Sequence, residues 1–289
     1  MSGDREGDAL GPLEELLARA QELGEEGDYD GMSEILRDAL EDFPGEPALL
    51  CFLGVAEREQ GLEGVAYERF RQALALDPED PWILATAGNA LAEFDDPEAE
   101  QALRAAAVMA PDLALARWLY GAYLAREGFH EQAREELDAA RALEPDHAPI
   151  AYESGVAWAL AGERSRAVDE MARAVEMDPG DAWARVVLGL LLVEDDRIDE
   201  ALPELDMGAR DREDDVEAQL AAALAHGVMG DEGSAWEFLE RARMRARGTD
   251  TLAADEVEEQ LGAGPAGPRR LLRQTLGPSL LRERLRART

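Results

Sequence analysis

The sequence predicts an all-α solenoid of about seven helix-turn-helix repeats, followed by a closing helix and a basic tail. Three observations carry this expectation. Pro44, Pro78, Pro111, Pro145 and Pro179 are 34, 33, 34 and 34 residues apart. Inside each period, small and large apolar residues return at fixed offsets with helical spacing. No segment reads as a strand.

Residues 1–11 form a polar N-terminal segment without the apolar stretch of a secretory leader. Pro12 suits the first turn of a helix, and Leu13, Leu16, Leu17, Ala20 and Leu23 share one face of it. Gly24 and Gly27 end that helix, and Asp28 to Gly31 make the turn into a second, which carries Met32, Leu36 and Ala39 toward Pro44. The same design then recurs. A small residue in the first helix of each repeat appears as Ala20, Gly54, Gly88, Gly121, Gly155, Gly189 and Ala223. A large apolar residue in the second helix appears as Leu36, Phe70, Leu103, Leu137, Met171, Leu205 and Leu239. The proline after each second helix cannot continue it and redirects the chain. Gly61, Gly128, Gly162 and Gly230 punctuate the turns inside repeats, and Asp95-Asp96-Pro97 replaces one of them.

The repeat body spans residues 12–247. Residues 248–261, with Leu252, Ala253, Val257 and Leu261, read as a closing helix that shields the last repeat. Residues 262–268 are a Gly/Pro linker by composition. Residues 269–289 are a basic amphipathic tail with seven Arg and one Glu. Its apolar side holds Leu271, Leu272, Leu276, Leu280, Leu281 and Leu285, interrupted at Gly277-Pro278.

Charge excludes several chemistries. The formal net charge is −35, and every basic residue is arginine. Without lysine there is no P-loop lysine, no Schiff-base lysine and no kinase-type lysine. A body this acidic repels phosphate, so nucleic acid is excluded as its partner, and a membrane surface is disfavoured. The single cysteine, Cys51, has no internal disulfide partner, which fits a reducing, cytoplasmic setting. The longest apolar run, Val186 to Val193, is too short to cross a bilayer.

Apparent motifs read as structure. Gly262, Gly264 and Gly267 match a dinucleotide fingerprint, but it needs a preceding strand. Asp28-Tyr29-Asp30-Gly31 hints at a calcium loop, but Arg37 stands where the bidentate carboxylate belongs. His130, His147 and His226 lack metal-ligand spacing. Acidic pairs such as Asp195-Asp196 and Asp214-Asp215 read as solvated loops. Nothing marks a nucleophile or an acid–base pair, so the reading is a non-enzymatic protein with no cofactor and no metal.

The stretch Cys51 to Pro78 gathers the markers Leu53-Gly54, Ala66, Phe70, Ala73 and Pro78. Over residues 13 to 247 the sequence resembles the tetratricopeptide repeat family. The resemblance implies a right-handed solenoid whose first helices line a concave groove for a protein or peptide partner. Placed by that resemblance, the groove residues are Arg58, Trp82, Asn89, Trp118, Tyr152, Val156, Trp183, Val186 and Leu190. The family's carboxylate clamp uses Lys, Arg and Asn; here Lys is missing, and Arg58, Asn89 and Arg126 stand near suitable positions. The groove is thus expected to be apolar and aromatic within an acidic body, suited to a partner segment with apolar and basic groups. The function expected is that of a scaffold or adaptor. Three roles are open to the tail: closing the stack, an intramolecular contact of residues 269–289 with the groove, or contact with a membrane surface or nucleic acid. The last is the alternative function.

Overall fold

The computed structural model describes residues 11–287, so the polar segment at 1–11 lies outside the described residues except for Gly11. The chain divides into two compact units, one running to Tyr123 and one starting at Leu124. No strand occurs among the described residues.

The first unit holds α1 (Pro12–Glu25), α2 (Tyr29–Asp42), α3 (Pro47–Glu59), α4 (Glu63–Leu74), α5 (Pro81–Ala92), α6 (Glu98–Met109) and most of α7 (Ala114–Arg126). Local chemistry sets the helix starts. Pro12, Pro47 and Pro81 occupy first-turn positions, where their missing N–H costs nothing. Asp28 accepts from the Gly31 N–H at 2.9 Å, and Asp80 from the Trp82 N–H at 2.8 Å. Each first helix pairs with the second helix of its repeat, and the two sequence columns meet there. A methyl group built on Gly54 would lie 2.9 Å from the Phe70 ring, and one on Gly88 would lie 3.1 Å from Leu103 Cγ. Phe70 and Leu103 are fully buried by that close approach.

The second unit continues with α8 (His130–Leu143), α9 (Ala148–Leu160), α10 (Arg164–Met177), α11 (Ala182–Glu194), α12 (Ile198–Asp211), α13 (Val216–Met229), α14 (Glu232–Arg245) and α15 (Thr249–Gly262). Gly155 meets Met171, and Gly189 meets Leu205, by the same column logic. The chain then runs through α16 (Ala266–Leu271), one π-helical turn (Leu272–Leu276) and α17 (Gly277–Arg286). Residues 263–265 connect α15 to α16, so helix takes up much of the Gly/Pro segment read at 262–268.

The turns inside repeats need a left-handed residue. Gly61, Gly128, Gly162 and Gly230 supply it, and Asp95 (φ 53°) and Asp196 (φ 60°) take the same conformation elsewhere. Asp196 is exposed, as read from the sequence, and has this backbone task as well.

The two units differ in how their first helices are buried. On α5, the half-buried positions Trp82, Leu84, Thr86 and Asn89 alternate with buried ones. On α11, every residue from Ala184 to Val193 is buried. A helix that is apolar all round must be covered all round. In the second unit the cover is the C-terminal segment: α17 packs on α9 and α11, and α16 packs on α13 and α15. Leu271, Leu272, Leu280, Leu281 and Leu285 join the same core as Tyr152, Val156, Val186 and Leu190.

Candidate partner-binding face

In the first unit, Trp82 is half-buried with its ring 4.7 Å from that of Phe52. Arg58 lies 3.7 Å from both Glu59 and Glu93. Asn89 is half-buried on α5, and Trp118 is half-buried on α7 against a small core of Ala85, Leu103 and Ala106.

In the second unit, Tyr152 and Val156 on α9 and Trp183, Val186 and Leu190 on α11 are brought together on one face. The Trp183 indole N–H donates to the Tyr152 hydroxyl at 2.8 Å. Burial pushes the Tyr152 phenol above its ordinary pKa. Apart from Trp183, these residues are buried, and the C-terminal helix lies over them.

Sequence reasoning missed the group at the centre of this face. Arg284 on α17 is only 2 % exposed, and its guanidinium carbon sits 4.4 Å from the centre of the Trp183 ring. Its Nη2 donates to both Asp215 oxygens at 2.8 Å, and Glu217 Oε2 is 3.6 Å away. Asp215 also caps α13, accepting from the Ala218 N–H at 2.9 Å, and accepts from Arg212 Nε at 3.0 Å. Burial opposes the Asp215 charge, but Arg284, the Ala218 N–H and Arg212 outweigh it and hold the carboxyl below its ordinary range. Glu217 goes the other way. Burial raises it to about 7, and neighbouring Glu283 and Asp215 add to the rise against the pull of Arg284.

Two further contacts fasten the segment. Arg126 makes a buried two-pronged pair with Glu153 at 2.7 and 2.9 Å, and donates to the Ala287 carbonyl at 2.9 and 3.1 Å. Burial works against the Arg126 charge, yet Glu153 outweighs it and leaves the guanidinium more basic than usual. At the outer edge, Arg269 and Arg273 reach Asp196 at 2.8 and 3.1 Å. The acidic pairs Asp195-Asp196 and Asp214-Asp215, read from sequence as solvated, thus each supply a carboxylate to the C-terminal arginines. One signal for this was present in the sequence. Gly277, Leu280, Leu281, Arg284 and Leu285 follow helical spacing, which puts one arginine on an apolar stripe, where it needs a buried partner.

Among the described residues, no group of three His, Cys, Asp or Glu is arranged to hold a metal ion, and no helix is long and apolar enough to cross a membrane. The face offers apolar burial, a buried arginine–carboxylate pair and hydrogen bonds at its rim.

A family model for the tetratricopeptide repeat matches residues 159–226. No curated protein matches the sequence. Several solved structures are similar in fold. A chain of the APC/C hetero-tetramer Cut9–Hcn1 is 18% identical with a TM-score of 0.71, over 85% of this chain and 48% of that one. A tetratricopeptide repeat protein from Parabacteroides merdae is 15% identical with a TM-score of 0.60, over 86% and 98%. PilF of Pseudomonas aeruginosa is 18% identical with a TM-score of 0.59, over 77% and 98%. At these identities the likeness is one of fold. The matched segment runs from the end of α9 into α13, and helix pairs obeying the same residue columns lie on both sides of it, so the fold is that of a tetratricopeptide repeat solenoid.

Proposed function

We propose that the protein is a non-enzymatic interaction scaffold that holds a helical segment of a partner protein on the first-helix face of α9, α11 and α13. Tyr152, Val156, Trp183, Val186 and Leu190 supply the apolar floor. The observation that supports this reading is the helix already seated there. α17 places leucines on that floor and an arginine against Trp183 and Asp215. A face that accepts one amphipathic helix has the spacing and chemistry to accept another. In the first unit, Arg58, Trp82, Asn89 and Trp118 are proposed to serve a second segment on the equivalent helices.

The alternative, a tail that contacts a membrane surface or nucleic acid, is less well supported. Arg269, Arg273 and Arg284 are paired with Asp196 and Asp215, and Leu271, Leu272, Leu280, Leu281 and Leu285 are buried.

A version of the full chain with a protease site within residues 263–265 tests the reading. After cutting, a labelled synthetic peptide of residues 265–289 is titrated in and its anisotropy followed. Saturable exchange into the face, reported also by Trp183 fluorescence, is the expected result. A cut chain that stays folded, releases its own tail and takes up no peptide overturns the proposal.

A further inference from the structure

Building on the reading of this face as a helix-binding site, we propose that α17 is a self-ligand that keeps the face closed. We propose further that the partner it yields to is an amphipathic helix bearing one arginine flush with its leucines. The seat is specific. Arg284 occupies a socket with Trp183 as its floor, the Asp215 carboxylate as its end wall and Glu217 at its side. A flat guanidinium that stacks on an indole while its edge meets a carboxylate is arginine chemistry; an ammonium group cannot do both.

The seat is also imperfectly filled. Among the described residues, Arg284 Nε and Nη1 are buried without a hydrogen-bond partner. Buried donors left unsatisfied weaken the occupant that leaves them so. The tail also carries Glu283, next in sequence to Arg284, whose Nη2 lies 3.6 Å from Glu217, and the Glu283 charge raises the Glu217 carboxyl. Like charges at a partly buried contact oppose docking. A helix that keeps the arginine and the leucines but carries no carboxylate at the Glu283 position fits better than the chain's own tail. The acidic surroundings favour such a cationic segment: the chain outside residues 269–289 carries −41 against +6 within them. The connection at 263–265 adds to the contacts that hold the tail by keeping its local concentration high. A tethered, suboptimal occupant is a device that excludes weak ligands and admits strong ones.

The test compares the intact full chain with the same chain cut within 263–265. Three labelled peptides of residues 265–289 serve as probes: native, Glu283→Gln and Arg284→Ala. At pH 7.5 the intact chain should bind native peptide at least tenfold more weakly than the cut chain does. The Glu283→Gln peptide should bind the cut chain more tightly than the native peptide, and the Arg284→Ala peptide at least tenfold more weakly. Equal affinity of intact and cut chain overturns the self-ligand while leaving the helix-binding face standing. An Arg284→Ala peptide that binds like the native one overturns the arginine socket. Absence of binding to either chain removes the helix-binding reading itself, and this inference with it.

Discussion

Replacing Arg284 with alanine in the full chain should release α17 from its face while the repeats remain folded. The substitution removes the only cation that reaches both Asp215 and Glu217 in the described contacts. Breaking a buried ion pair by deleting one partner costs about 3–5 kcal/mol when the other charge is stranded. Asp215 is not wholly stranded, because Arg212 and the Ala218 N–H still serve it. The loss in docking should therefore fall below that range, at about 2–3 kcal/mol. At 1.4 kcal/mol per decade this corresponds to a roughly 30- to 150-fold loss of protection. Hydrogen exchange of the amides in 277–286 reads it directly, with the amides of α3 and α4 as an internal reference. Arg284→Met separates charge from volume. It keeps most of the packing on Trp183 and should still lose most of the protection. Protection unchanged within threefold in both variants would refute the claim that this arginine anchors the helix.

Docking should also depend on pH, with a sign fixed by two opposed carboxyls. Glu217 binds its proton more tightly in the docked state, so its contribution is full below the ordinary glutamate range and is lost as pH rises through about 7. Asp215 does the reverse: its contribution holds above the ordinary aspartate range and fades as pH falls through its lowered value. Protection of 277–286 should thus increase on going from pH 8 to pH 6, and Glu217→Gln should flatten that rise. Gly189→Ala puts a methyl 2.6 Å from Leu205 Cγ and should cost about 1–3 kcal/mol in thermal unfolding, by overpacking. Cys51 is fully buried, and burial raises its thiol pKa, so native protein should resist a thiol reagent that reacts promptly after denaturation.

The fold was legible because its determinants are local and repeated. The pairs Gly54 with Phe70 and Gly189 with Leu205 meet in space as their columns implied. The left-handed turns were legible where glycine marks them and less so at Asp196, whose side chain disguises the backbone requirement. Tyr152, Val156, Trp183, Val186 and Leu190 lie on α9 and α11, the first helices of their repeats. A contact of the tail with the groove was one of three roles its composition left open, but period and propensity do not give the individual pairings. Arg284 meets Asp215 across 69 residues, and Arg126 meets Ala287 across 161. Such pairings are set by where the stack brings distant helices, and no short-range pattern encodes them. The arginine on the leucine stripe was the one sequence signal that a buried acid must lie elsewhere.

The C-terminal segment also changes how the second unit stores its stability. An array of repeats coupled only to its neighbours behaves as a one-dimensional chain, and its ends melt before its middle. Here one continuous segment touches α9, α11 and α13 together. That adds a coupling beyond nearest neighbours, as a strap does to a row of books. Losing one of these helices weakens its bonds to the strap and, through it, the others. The second unit should therefore unfold as a single cooperative block, whereas the first, with its separate small cores, should lose its repeats in steps. Removing the strap returns the second unit to stepwise melting, so the width of its thermal transition is itself a measure of whether the face is occupied.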